Sequence, residues 1–204
     1  ILQYSITAIG SVVLQSAVNT LGSDAVAAMT AGSKISMFFC CPFDALGSTM
    51  ATYGGQNMGA GKLSRIGAGL KASTVLGVIY AAAAFLTLFF AGEYLALFFV
   101  EKASPQIIAN VHLLLIINSA FYVPLLFVNT VRFLIQGMGY SKFAIFAGVF
   151  EMAARTLVGF AFVPVFGFAA ACFASPVAWV FADIFLFPAY VYVYRRSERL
   201  LQAA

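Results

Sequence analysis

Charged residues are scarce in this sequence. They make up 9% of its 204 residues, whereas soluble domains usually carry about 25%. A soluble fold of this length needs a polar surface, and the chain has too few polar residues to cover one. The scarcity of charge excludes a soluble globular domain and indicates that lipid is the main solvent.

Residues that build reactive centres are also scarce. His112 is the only histidine, and one histidine cannot supply a metal site or a His-based triad with the residues in view. Cys40, Cys41 and Cys172 lie in apolar runs, which indicates small buried residues rather than a disulfide framework. We therefore expect no metal, no other cofactor and no enzymatic activity.

A start signal is missing as well. Ile1 already lies in an apolar run, and no basic segment or cleavage site precedes or follows it. We interpret the chain as part of a longer protein.

Long apolar runs, by contrast, are abundant. Hydrophobic residues make up 63% of the chain, and its mean hydropathy is +0.98. Six runs reach the roughly 20 residues that a membrane span needs, and the alternation typical of strands is absent. The sequence predicts an all-α, polytopic membrane protein, a six-helix bundle forming one membrane domain over residues 1–204. The predicted helices cover residues 1–21, 25–57, 67–92, 105–136, 141–163 and 168–194.

Proline and capping residues predict the shape of these helices. Asp24 is a plausible N-cap of the second helix, and Pro105 lies near the first turn of the fourth. The second and fourth runs have about 32 residues, or about 48 Å of helix, so they must tilt or bend. Pro42 and Pro124 are the predicted kinks.

The loops carry an uneven charge. Seven basic residues fall on one side of the predicted bundle and one, Lys102, on the other, together with Asp24, Glu93 and Glu101. Basic residues favour the cytoplasmic side. We predict a plasma (inner) membrane protein whose Ile1 side and C-terminus are cytoplasmic. The basic residues of that side are Lys62, Arg65, Lys71, Lys142, Arg195, Arg196 and Arg199.

Six charged residues fall inside the predicted spans, where charges are costly, face the bundle interior and usually pair. Glu151 and Arg155 are four residues apart on one helical face, whereas Arg132 is near a helix end and can extend to the interface. The set is either an electrostatic clasp or, in part, a site where acids bind a coupling cation or carry protons. The six are Lys34, Asp44, Arg132, Glu151, Arg155 and Asp183.

Five amide side chains add hydrogen-bonding capacity inside the predicted bundle. We consider them candidates for the polar lining of a substrate cavity or for contacts between helices. They are Gln3, Gln15, Asn19, Asn118 and Asn129.

The glycine-rich segment Gly54–Lys62 (GGQNMGAGK) only superficially resembles a phosphate-binding loop. Gln56 stands where a Walker A loop needs glycine, and Leu63 stands where it needs Ser or Thr. The segment better suits a helix end and a tight turn, and Gly55 and Gly59 form a weak close-packing motif.

Several segments resemble the multidrug and toxic compound extrusion (MATE) family over essentially the whole chain. Leu46–Lys62 resembles the family's eighth helix and following loop, where a G-Q-N-x-G-A-G-K stretch is typical. The other similar segments are Gln15–Ala28 (seventh helix), Gln136–Lys142 (end of the tenth), and Glu151–Arg155, Phe166–Phe168 and Asp183–Phe185 (last two helices).

This resemblance implies the C-terminal lobe of a twelve-helix antiporter that exports organic, typically cationic or amphipathic, compounds in exchange for Na⁺ or H⁺. Its implied partners are an N-terminal six-helix half, a small-molecule substrate and the lipid bilayer. In some branches, acids in the seventh and tenth helices form a cation site. The first and fourth spans here contain no Asp or Glu, so that site cannot be transferred.

Two other functions stay open. A lipid-linked oligosaccharide or polysaccharide flippase of the same superfamily would share the fold but would need a more cationic cavity. A non-transporting structural bundle would gain little from charges near the membrane centre. The net charge of +4 is explained by membrane orientation, so we expect no nucleic-acid binding.

Overall fold

The computed structural model describes residues 2–99 and 104–202, and within these it describes no side chain of residues 2–4. Regular structure in these ranges is helical throughout, without strands, which confirms the all-α prediction. A π-helical segment, Val158–Phe162, connects α6 to α7. The helices are α1 Leu2–Asn19, α2 Ser23–Gly59, α3 Leu63–Phe99, α4 Pro105–Ala120, α5 Tyr122–Gly137, α6 Ser141–Leu157, α7 Val163–Phe166 and α8 Phe168–Gln202.

Four helical stretches are long and apolar enough to cross a membrane: Ser23–Gly59, Leu63–Phe99, Ser141–Phe166 and Phe168–Gln202. The bent pair α4–α5 makes a fifth if it is counted as one span. The first predicted span corresponds to α1, Leu2–Asn19. The chain is a multi-pass membrane protein.

Local sequence explains how several helices begin and turn. The Ser104 side chain accepts a hydrogen bond from the Ile107 backbone N–H, and Pro105 occupies the first turn of α4, as predicted. The predicted N-cap Asp24 is wrong, because α2 begins at Ser23 with Gly22 as its N-cap, and Asp24 lies in its first turn. Gly61 and Gly139 have φ of 68° and 97°, a left-handed backbone that favours glycine in these two turns.

Of the two predicted kinks, Pro124 lies beside a break between helices, whereas Pro42 lies within a continuous helix. α4 and α5 meet at an angle of 53°, and Phe121 lies at the break, three residues before Pro124. Because Pro124 has no N–H, it cannot bond the Ala120 carbonyl. α2 instead continues through Pro42, where the Tyr80 hydroxyl donates a 2.9 Å hydrogen bond to the neighbouring Phe39 carbonyl.

Helices α2 and α5 pack closely in the core. A Cβ on Gly55 would lie 3.2 Å from the Gly137 carbonyl oxygen, and a Cβ on Gly137 would overlap the backbone of Ala51. A Cβ on Gly59 would meet no described atom within 4 Å. Of the two glycines in the predicted close-packing motif, only Gly55 therefore lies against a neighbouring helix. The buried Phe43 and Tyr122 rings, with centroids 5.3 Å apart, pack between the same two helices.

The outer face of α3 is apolar over most of its length. Its large side chains project away from the bundle, as expected of a helix surface against hydrocarbon. This apolar face of α3 consists of Val75, Leu76, Ile79, Leu86, Phe90 and Phe98.

Candidate functional site

Four buried charges meet where α5, α6 and α8 pack together. The Arg132 Nη2 atom forms an ion pair with Glu151 Oε1, and Arg155 Nη2 lies 3.6 Å from Glu151 Oε2. Asp183 is close enough to Arg132 for electrostatic attraction. All four residues are at most 8% exposed, so the structure joins three helices through opposite charges. We call Arg132, Glu151, Arg155 and Asp183 the charge cluster.

The prediction that Arg132 extends to the membrane interface is wrong. Its side chain is buried and directed to Glu151 on the neighbouring helix. The sequence places Arg132 near the end of a predicted helix, from which a long side chain can reach the interface. In the structure, α6 instead brings the Glu151 carboxylate into contact with it. The predicted Glu151–Arg155 pair forms, so Glu151 contacts two guanidinium groups.

A cavity of about 380 Å³ lies beside this cluster, between α1, α2, α4, α6 and α8. Arg155 is the charged residue among its lining side chains, and Leu14, Met29, Met37, Leu114 and Trp179 supply apolar surface. The polar lining consists of Ser11, Gln15, Ser33, Ser36, Asn118, Ser175 and Arg155. The cavity therefore combines hydrogen-bonding groups and one cation in a membrane-embedded bundle.

Lys34 and Asp44 do not face the interior of this bundle, contrary to prediction. Both are exposed on α2. The buried Asn129 side chain lies near the Asp44 carboxylate. Lys34 and Asp44 are separate from the charge cluster, whose residues lie on α5, α6 and α8.

The exposed side of α2 is polar over about 39 Å, the length of 26 residues of helix. Met37, Phe38 and Cys41 interrupt it, and the Phe38 side chain is 75% exposed. We call this surface the polar face of α2. It consists of Thr30, Lys34, Asp44, Ser48, Thr52 and Gln56. Ser33 and Met37 are exposed and also line the cavity, so the cavity opens at the edge of this face.

The predicted amide candidates are divided between the cavity and other places. Gln15 and Asn118 line the cavity, whereas Asn129 faces Asp44. Asn19 is exposed, contrary to the expectation of an interior position, and accepts a 3.2 Å hydrogen bond from Gln15 Nε2. The Gln3 side chain lies outside the described residues.

Sequence reasoning missed the four cavity serines. Small hydroxyl residues are common contacts between membrane helices, so Ser11, Ser33, Ser36 and Ser175 carried little signal separately. Ser33 and Ser36 are three residues apart on α2 and lie on one helical face. This spacing was the one feature of the sequence that indicated a shared polar surface on α2.

The described residues contain no cluster of three or more His, Cys, Asp or Glu side chains that could hold a metal ion. His112 instead packs beside α3, with Nε2 3.1 Å from the Phe89 carbonyl oxygen and Nδ1 3.4 Å from Glu93 Oε1.

Three basic segments lie at one end of the bundle. Tyr194 near the end of α8 donates a 3.5 Å hydrogen bond to the Leu63 carbonyl after the α2–α3 turn. The Arg196 guanidinium lies 5.8 Å from the centre of the Tyr140 ring, in the α5–α6 turn. The basic residues that the sequence assigned to one side therefore share one end. Glu101 and Lys102 lie outside the described residues.

The MatE family model matches residues 1–161. The chain belongs to the MatE family. The MATE resemblance of the glycine-rich segment is confirmed. No relative is found among curated protein sequences.

Solved transporter structures share the fold of this MatE chain. An outward-facing multidrug resistance MATE transporter of the MOP superfamily is 18% identical, with a TM-score of 0.83 over 95% of this chain and 43% of its own. A MATE protein in a straight conformation has the same identity and coverage and a TM-score of 0.82.

A third relative is a MOP superfamily transporter from Pyrococcus furiosus. It is 18% identical, with a TM-score of 0.78 over 91% of this chain and 41% of its own. That protein is described as having a binding pocket of reverse polarity that suggests a different function. This MatE chain spans less than half the length of these relatives.

Proposed function

We propose that this chain is one lobe of a secondary active antiporter that exports organic compounds in exchange for Na⁺ or H⁺. The observation that carries this proposal is the polar face of α2, with a cavity opening at its edge. Such a surface suits a water-filled substrate pathway between two lobes.

The contrast between α2 and α3 supports this interpretation. Both helices have 37 residues, and both expose one side. The α3 side carries Leu and Phe, which suit hydrocarbon, whereas the α2 side carries Lys34 and Asp44 beside the exposed Met37 and Phe38. Exposed ionisable groups at membrane depth line water-filled cavities or contact other protein. The polar face of α2 therefore requires water or a second protein surface opposite it.

A second six-helix lobe is the partner that we propose. Transport by alternating access needs two units that move around a site at their interface. A lobe placed against the polar face of α2 would shield Lys34 and Asp44 from lipid and would enclose the cavity mouth. The assembly would lie in the plasma (inner) membrane with its basic end cytoplasmic.

Asp44 is the acid best placed for ion coupling. Glu151 and Asp183 are buried and face arginines, so a cation would have to compete with guanidinium groups there. Asp44 is exposed on the polar face and has the neutral Asn129 beside it. A carboxylate with an amide oxygen nearby is suitable chemistry for Na⁺ or for a proton.

Two other functions are less well supported. A flippase acting on pyrophosphate-linked sugars would need several bases in the cavity, and Arg155 is the one base lining it among the described residues. A non-transporting bundle leaves the polar face of α2 without a role. The predicted cationic character of the substrate stays a prediction.

Efflux from cells that express the full-length protein tests the proposal. We expect export of at least one compound from a panel of cationic, zwitterionic and anionic fluorophores, and loss of export when the Na⁺ and proton gradients collapse. Asp44→Asn should abolish coupling, while Asp24→Asn, which changes an exposed acid in the first turn of α2, should not. Export that persists without either gradient, or an unaffected Asp44→Asn protein, would refute ion-coupled antiport through Asp44.

A further inference from the structure

We propose that the cavity beside the charge cluster binds a carboxylate or similar anionic group of the transported compound, with Arg155 as its charged partner. This inference rests on the proposed transport function and specifies the substrate class. It predicts anionic or zwitterionic amphipathic compounds as preferred substrates, rather than purely cationic ones.

Arg155 is only partly engaged by the protein. Its side chain is buried, at 8% exposure, and it contacts Glu151 through Nη2 at 3.6 Å. Its other terminal nitrogen, Nη1, is buried and has no hydrogen-bond partner among the described residues. A buried guanidinium N–H without an acceptor is costly, so this nitrogen favours a ligand that brings an oxygen.

The charge of Arg155 is also incompletely neutralised. Glu151 contacts two arginines, and the Arg132 contact is the closer of the two. Asp183, the second acid of the cluster, is associated with Arg132 and does not line the cavity. Arg155 is therefore the charged group that the cavity presents to a ligand.

Uncharged side chains that line the cavity add hydrogen-bond donors to the Arg155 guanidinium. Ser36 Oγ is a buried cavity atom without a hydrogen-bond partner in the described part of the chain. Asn118 lines the same cavity, and its amide nitrogen is a donor. Hydroxyl, amide and guanidinium donors together match a carboxylate, because a carboxylate only accepts hydrogen bonds.

The cavity also has room for part of an organic molecule. Its 380 Å³ falls within the range of small-molecule sites, about 300–1,000 Å³. Its apolar side, formed by Leu114 and Trp179 among others, suits the hydrocarbon or ring portion of such a compound. Bound water alone is the alternative occupant.

The electrostatic part of the inference can be measured without transport. Ser33 lies at the cavity mouth, and Ser33→Cys in a protein without native cysteines gives one reactive thiol there. We compare an anionic sulfonatoethyl and a cationic trimethylammonioethyl methanethiosulfonate, each rate divided by its rate with a free thiol. The anionic reagent should react about tenfold faster, the effect of one charge at short range in a partly screened site.

Arg155→Gln should remove this preference and Arg155→Lys should retain it. Arg195→Gln, which changes an exposed arginine at the basic end of α8, should leave it unchanged. A preference for the cationic reagent, or no reaction with either, overturns the inference, because a transported anion must reach this position.

Transport then tests the substrate class with two rhodamines, one with a free carboxylate and the same dye as its methyl ester. We expect the carboxylate to be exported several-fold faster. Asn118→Asp, a near-isosteric change that places a competing carboxylate in the cavity, should reverse that order. Export of the ester alone overturns the substrate class but leaves the antiporter proposal standing, whereas export of no compound in the panel refutes the antiporter proposal itself.

Discussion

Glu151 holds the buried charges of this lobe together. It lies on α6 and contacts Arg132 of α5 and Arg155 of its own helix. Taking charges out of water is unfavourable, and the loss is offset only where opposite charges and hydrogen bonds surround them. Removing the carboxylate of Glu151 therefore leaves two buried guanidinium groups with Asp183 as the one acid of the charge cluster.

Glu151→Gln should destabilise the lobe by about 3–5 kcal/mol, the usual range when a buried ion pair loses one partner. Arg132→Gln should cost less, because Glu151 keeps Arg155 and because the carboxylate of Asp183 can take up a proton, whereas a buried guanidinium cannot lose one. Thermal unfolding of the detergent-purified protein measures both. Glu198→Gln is the matched control, since Glu198 is exposed near the end of α8 and should be neutral. A Glu151→Gln protein that unfolds at the wild-type temperature would contradict the structural role of the cluster.

At the scale of elements, the contact between α2 and α5 depends on Gly137. Its hydrogen atom faces the backbone of Ala51, and Gly55 faces the Gly137 carbonyl in return. Backbones approach this closely only where a side chain is missing. Because backbone cannot move aside as a flexible side chain does, a methyl group at Gly137 must separate the helices.

Gly137→Ala should therefore lower stability by about 1–3 kcal/mol, the usual effect of overpacking. Gly67→Ala provides the comparison, because Gly67 is also helical and a Cβ there meets no described atom within 4 Å. That substitution should be neutral or slightly stabilising, since alanine favours helices over glycine. Equal melting temperatures for the two variants would show that α2 and α5 separate without cost.

The two exposed helix faces should differ in water access. A single cysteine at Ser48, on the polar face of α2, should react with a water-soluble maleimide in membranes that contain the full-length protein. A single cysteine at Ile79, 63% exposed on the apolar face of α3, should not react, because maleimides need a hydrated thiolate. Equal labelling at the two positions would contradict the assignment of α2 to an aqueous pathway.

At the scale of the molecule, the shared basic end predicts the orientation in the membrane. Lys142 and Arg199 should be cytoplasmic, and Lys102 external, because basic loops are retained in the cytoplasm. Single cysteines at these positions, in a background without native cysteines, can be probed with an impermeant thiol reagent in intact cells. We expect labelling at position 102 alone, and the reverse pattern would invert the proposed topology.

Residues 1–204 expressed alone should insert into the membrane without transporting. Alternating access needs a second lobe opposite the polar face of α2. Co-expression with a matching six-helix half should restore part of the efflux. Robust efflux by the purified chain in vesicles, with no partner, would mean that copies of this lobe assemble into a complete transporter.

The sequence alone determined the class of this protein, the grouping of its basic loops at one end and its family. These properties depend on local composition, because span length, loop charge and the Gly54–Lys62 motif can each be read from neighbouring residues. The Glu151–Arg155 pair was also predictable, since four residues make one helical turn.

The tertiary structure decided which charges meet and which remain exposed. Arg132 and Glu151 are 19 positions apart, and their contact depends on how α5 and α6 rotate against each other. Lys34 and Asp44 share one helix, yet their exposure depends on which side of α2 packs on α5. The cavity depends on five helices at once. Helical period predicts which residues share a face, but only packing decides what that face meets, because each helix can present any side to its neighbours.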